Sequence, residues 1–113
     1  MARGANPTGS PAGGEFRLIV RSPERGEVSG PLVFATARRA RTAGLAALRG
    51  AQGALVLDCS GLGPTDSAGL AVLLDWLAEA RKAARHLRFE GLPEDLLRLA
   101  RISAVDELLR QGV

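Results

Sequence analysis

Four consecutive apolar residues, Ala54-Leu55-Val56-Leu57, end at Asp58 and lie between two Ala- and Leu-rich segments with helical spacing. So short a run reads as a strand buried on both faces, as at the centre of an α/β sheet. A central strand between two helices constrains the rest of the chain. Each strand–helix–strand unit must cross over in the right-handed sense, and the sheet must be parallel or mixed with helices against it.

The flanking sequence supplies the other elements. Phe16, Leu18 and Val20 alternate with Arg17, Ile19 and Arg21, a period of two that predicts a half-exposed strand. Pro23 to Gly26 is turn chemistry, and Glu27-Val28-Ser29 is a second short strand closed by Gly30-Pro31. Leu32 to Leu48 is rich in helix formers, with a stripe at Phe34, Ala37, Arg41, Leu45 and Leu48 and a weak point at Gly44. Cys59-Ser60-Gly61-Leu62-Gly63-Pro64-Thr65 reads as a loop leading to the clearest helix, from about Ser67 to Ala84. Its Leu70, Leu73, Leu74 and Leu77 fall in a sector about 100° wide that must face the core. Leu87 and Phe89 alternate as a last strand, and Pro93-Glu94-Asp95 is a good first helical turn. The segment Ala104 to Leu109 is a short element of unassigned type.

The chain of 113 residues is long enough for one core, with 46% apolar and 24% charged residues. Residues 1–14 hold four Gly, two Pro and no apolar period, so they are expected to be a disordered leader before a domain at 15–113. No apolar stretch approaches the roughly 18 residues of a membrane span, and the N-terminus lacks the apolar region of a secretory signal. With the lone Cys59, these features lead to the expectation of a cytoplasmic protein. The net charge of +3 hides an asymmetry: residues 1–53 carry eight basic and three acidic side chains, residues 54–113 seven and nine. The basic residues of the first half are scattered apart from Arg38, Arg39 and Arg41, and three Phe and one Trp give little surface for stacking bases. A nucleic-acid partner is therefore not expected.

The inventory also argues against catalysis. His86 is the only histidine, so no metal site with two or more His ligands can form, and no metal or cofactor is expected. Cys59 lacks a C-x-x-C partner and follows an apolar strand, which favours a small, semi-buried thiol. No phosphate-binding glycine motif is present, and Ser67 lies outside any G-x-S-x-G elbow.

One segment stands out: Leu57-Asp58, then, eight residues beyond Asp58, Asp66-Ser67-Ala68-Gly69-Leu70. Capping accounts for part of it, because Asp66 or Ser67 as N-cap would accept a bond from a free helical N–H, worth about 1 kcal/mol. Gly69 would then serve close packing. The same geometry sets a hydroxyl at the rim of the sheet, where loops of open α/β folds gather binding groups. A phosphate on Ser67 would suit the helix dipole, yet would add bulk and charge beside Asp66 and repel a partner fitted to the bare hydroxyl. Trp76 lies about 100° from the centre of the leucine stripe, near Val72 and Ala80. It either completes the core or anchors a partner.

The run Ala54 to Asp58 through Asp66-Ser67-Ala68-Gly69-Leu70 resembles the central signature of STAS domains, a family that includes anti-sigma-factor antagonists and transporter-associated modules. The likeness extends over roughly residues 16–110. Ser29 to Thr36, Leu73-Leu74-Asp75-Trp76 and Leu87 to Pro93, with Leu96 to Ala100 and Val105 to Leu109, are most similar to the MlaB type. That type is the STAS subunit of an ABC complex that transports phospholipid and maintains outer-membrane lipid asymmetry. The resemblance implies an α/β, STAS-like fold: a mixed sheet of about four to five strands with three to four helices packed on it. It implies no chemistry by this chain and a place at the inner membrane held only through the ATPase subunit of an ABC transporter. In the alternative the partner is an anti-sigma-factor kinase that phosphorylates Ser67. The expected partner-binding residues are Asp66, Ser67, Ala68, Gly69, Val72 and Trp76.

Overall fold

The computed structural model describes residues 14–113. The leader expected at 1–14 lies outside the described residues except for Gly14. Strands β1 (Arg17–Ser22) and β2 (Arg25–Leu32) form an antiparallel hairpin around Pro23-Glu24. A short 3-10 turn, Phe34–Thr36, leads into helix α1 (Ala37–Gly50). Strand β3 (Ala54–Thr65), helix α2 (Ser67–Lys82), strand β4 (His86–Glu90) and helices α3 (Glu94–Ile102) and α4 (Asp106–Gln111) complete the order. The sheet order is β1-β2-β3-β4, with β2, β3 and β4 mutually parallel. This is the expected mixed α/β sheet, with four strands and four helices.

All the large buried side chains lie between the sheet and the helices. Val28, Leu55, Leu57, Cys59, Leu87 and Phe89 point inward from the strands and meet Leu70, Leu73, Leu77, Leu96 and Leu109. On the other face Ala54 is exposed and Val56 and Asp58 are half-buried, among Arg25, Glu27, Arg88 and Glu90. The expectation that β3 is covered on both faces is thus corrected: the fold has two layers, and the outer face is polar. An Arg25–Glu90 pair at 2.8 Å reaches across β3, and Arg21 meets Glu27 at 2.9 Å. Their long side chains lie over the small and β-branched residues that gave the run its continuous apolar look.

Two further boundaries differ from the sequence reading. The segment Cys59–Thr65 is not a loop but the second half of β3. From Glu27↔Asp58 to Ser29↔Gly61, and again from Gly30↔Leu62 to Leu32↔Thr65, β3 spends one residue more than β2. Each extra residue is a bulge, and bulges tolerate the Gly and Pro that otherwise argue against a strand. In α1 the buried positions are Ala40, Gly44 and Leu48, whereas Phe34 and Arg41 of the expected stripe are exposed. Gly44 is the contact point of α1 with α2, since a Cβ there would overlap the Trp76 ring.

The outer edge of β4 is partly covered by the chain itself. Leu87 and Val113 exchange two backbone hydrogen bonds, of 3.1 and 2.9 Å, after α4 has seated Leu109 in the core.

Candidate functional site: the rim at the start of helix α2

Asp66 is where three segments meet. It closes β3, lies in extended conformation and is the N-cap of α2, its Oδ1 accepting from Gly69 N–H at 3.0 Å. Its other oxygen, Oδ2, accepts from the Phe34 N–H at 3.0 Å. A single carboxylate therefore ties the start of α2 to the turn before α1. These backbone donors, the Gly69 N–H above all, with those of Phe34 and Ala68 behind it, hold the Asp66 carboxyl below its ordinary range. The sequence suggested either Asp66 or Ser67 as the cap; the carboxylate takes that role and leaves the hydroxyl free of it.

Ser67 is the first residue of α2 and is exposed. Ala68 is half-buried, and Gly69 is buried because α2 starts directly over β2. A Cβ at Gly69 would overlap the carbonyl oxygen of Leu32, which only glycine avoids. The helix start is thereby pinned by a cap and by a close backbone contact. A hydroxyl on this fixed turn stands at the surface.

Three of the expected partner-binding residues, Gly69, Val72 and Trp76, do not reach that surface. Val72 is 5% exposed and Trp76 is 0% exposed. Trp76 fills the space above Gly44, donates its Nε1–H to Arg41 O at 3.3 Å and packs against Phe16 and Phe89 at centroid separations of 6.3 and 6.5 Å. The flank of α2 that reads as free in isolation is covered by α1. The expectation of a partner surface at Val72 and Trp76 is corrected on that ground.

Phe34 is the residue that sequence reasoning missed. Its spacing with Ala37 assigned it to a buried stripe, yet it is 82% exposed on the turn held by Asp66. The signal that could have found it is Thr36, a residue type that bonds nearby backbone outside helices; its hydroxyl accepts from the Val33 N–H and holds a turn ahead of the helix.

The other candidate groups lie apart from this rim. Asp58, on the outer face of the sheet, accepts from the Ser60 N–H at 3.0 Å, and that bond with the Ser60 side chain holds its carboxyl low. Seven intervening residues of strand, at about 3.3 Å each, put roughly 20 Å between the two carboxylates, so they cannot work as an acid–base pair. Cys59 is fully buried, and desolvation with the nearby Asp58 charge pushes its thiol up to about 12. His86 lies exposed at the start of β4, with Nδ1 3.4 Å from Val113 O. Among the described residues no group of three or more His, Cys, Asp or Glu could hold a metal ion. A cleft of about 470 Å³ opens beside the rim between Leu62-Gly63-Pro64-Thr65 and Pro93, Asp95 and Leu96. Asp95 is its one ionisable lining group. No helix among the described residues is long and apolar enough to cross a membrane.

The family model described as "Mlab, STAS domain" matches residues 22–110. Among solved structures, the chain is similar to the anti-sigma factor antagonist SpoIIAA in its unphosphorylated form, with a TM-score of 0.59 at 17% identity over 87% of this chain and 99% of that one. It is likewise similar to the Bacillus cell fate determinant SpoIIAA in the phosphorylated form, with a TM-score of 0.61 at 18% identity over 81% and 86%. At those identities the likeness is one of fold. No curated protein sequence matches.

Proposed function

Because this chain belongs to the STAS domain family, we propose that it is a non-catalytic interaction module that binds and regulates the ATPase subunit of an ABC phospholipid transporter. The observation that carries the reading is the exposed Ser67 hydroxyl on a helix start fixed by the Asp66 cap and the Gly69–Leu32 contact. A rigid rim costs little ordering on association, which favours recognition by a partner. The Mlab description of the matching family supports the choice of an ABC ATPase. Asp66, Ser67 and Ala68 form the contact, with Gly69 fixing the turn beneath them, and the protein reaches the inner membrane only through that subunit, on its cytoplasmic side. Co-purification of the full chain with the ABC ATPase of its own organism tests the idea. The complex is expected with the native chain and lost with Ser67→Asp; no complex with the native chain would remove the reading.

A second reading has its own support. The similar solved structures are an anti-sigma factor antagonist in unphosphorylated and phosphorylated forms, and Ser67 stands exposed where a kinase could reach it. On this reading phosphorylation of Ser67 sets a charge of nearly −2 beside Asp66 and ejects the partner. Incubation with a cognate kinase and ATP should then label Ser67, and the Ser67→Ala chain should stay unlabelled. A native chain that takes no label excludes the antagonist role.

A further inference from the structure

Phe34 is 82% exposed, but the turn that carries it is closely tied. Thr36 N–H donates to Val33 O at 2.9 Å, and the Thr36 hydroxyl accepts from Val33 N–H at 3.0 Å while reaching Pro31 O at 2.9 Å. Asp66 adds the bond to the Phe34 N–H. The ring is thus held out in water by backbone that is already ordered. Its loss of freedom on docking is small, as in the aromatic anchors that dominate many interfaces.

The helix that follows it carries charge of one sign. Helix α1 carries Arg38, Arg39, Arg41 and Arg49 and no acid. Arg41 is engaged by Asp75, whereas Arg38 and Arg39 are exposed and form no ion pair among the described residues. They stand in the first turn of α1, one turn from Phe34, which Asp66 binds to the same rim as Ser67.

We propose that Phe34, flanked by Arg38 and Arg39, anchors the docking surface at the Ser67 rim, and that the partner is a protein offering an apolar slot bordered by acidic side chains. The inference rests on the reading of that rim as a docking site. A membrane suits the patch less well. A single aromatic side chain buries less apolar area than a single acyl chain, which itself binds only marginally.

Titration of the full chain with the purified ABC ATPase of its own organism, at low and moderate salt, decides the matter. Phe34→Ala should weaken binding by about tenfold or more. Arg38→Glu with Arg39→Glu should weaken it comparably and flatten its salt dependence. Phe34→Trp should stay near the native affinity, and Arg49→Glu, at the far end of α1, should change it by less than about threefold. Because Phe34 adds nothing to the core, the melting temperature of Phe34→Ala should equal that of the native chain. A native complex that tolerates both Phe34→Ala and the double charge reversal would overturn the inference and leave the rim reading intact. Phe34-dependent binding to vesicles of phosphatidylcholine with phosphatidylglycerol, without an effect on the ATPase complex, would overturn it in favour of a membrane. Failure of the native chain to bind the ATPase would instead remove the parent reading, and the inference with it.

Discussion

A methyl group added at Gly44 would overlap the buried ring of Trp76, while one added at Gly50, six residues along the same helix, meets nothing within 4 Å. Helix propensity alone gives alanine the advantage at both positions, by up to about 1 kcal/mol. At Gly44 the overlap outweighs it, since forcing atoms into a packed core costs about 1–3 kcal/mol. Gly44→Ala should therefore lower stability by roughly 1–2 kcal/mol, and Gly50→Ala should raise it by up to about 1 kcal/mol, as read from urea unfolding midpoints. The sequence identified Gly44 as a weak point in a helix and could not show what occupies the space. Trp76 has the same history: its angle from the leucine stripe was legible, but which neighbour covers that flank is a tertiary fact. Trp76→Ala should cost about 3–5 kcal/mol, so any effect on a partner would report lost packing. Cys59 can be checked by labelling. Its thiol, pushed up to about 12 by burial, should resist iodoacetamide in the native chain at pH 8 and react once urea unfolds it. Appreciable labelling of the folded chain would contradict the packing around β3.

At the scale of elements, the hairpin, the three longer helices and the parallel core strands were legible because their periods are regular. The second half of β3 was not. Its two bulges break the alternation of inward and outward residues, and Gly61, Gly63 and Pro64 carry the signals of a turn. The turn at Phe34–Thr36 was hidden for a related reason, because its side-chain bonds to Pro31, Val33 and Asp66 override the apparent helical stripe. The start of α2 was read correctly as a capped helix. Asp66→Ala should cost about 1 kcal/mol through the lost cap, and it should also loosen the Phe34 turn, visible as faster amide exchange at Phe34 and Gly69. The pH dependence follows from the direction of the shift. Folding holds the Asp66 and Asp58 carboxyls below their ordinary range, so their contribution is complete above about pH 4 and is lost as pH falls through the lower folded values. Acid unfolding of Asp66→Asn should accordingly be less steep than that of the native chain. An identical acid profile would show that the carboxylate is not held as described.

For the whole molecule, the two-layer build decides what is open to a partner. One face of the sheet is closed by α1 to α4, and the outer face carries the pairs Arg21–Glu27 and Arg25–Glu90. Among the described residues, the basic side chains of the first half of the chain are thus divided between the outer face and α1, with no continuous stripe along one groove. Membership of the STAS family and the α/β order could be read from the segment Ala54 to Leu70, since that stretch holds the central strand, the cap and the helix start together. The extent of the rim could not, because Phe34 is tied to Asp66, the neighbour of Ser67, across 32 residues of separation. The central claim is that an uncharged, exposed hydroxyl on a fixed helix start is what the partner reads. The most direct measurement is the dissociation constant of the full chain with the ABC ATPase of its own organism, for the native chain, Ser67→Ala and Ser67→Asp, with melting temperatures taken in parallel. The account predicts a loss of a few-fold to about tenfold for Ser67→Ala, which removes the hydroxyl, and a larger loss for Ser67→Asp, both at unchanged melting temperature. Equal affinity of Ser67→Asp and the native chain would contradict it.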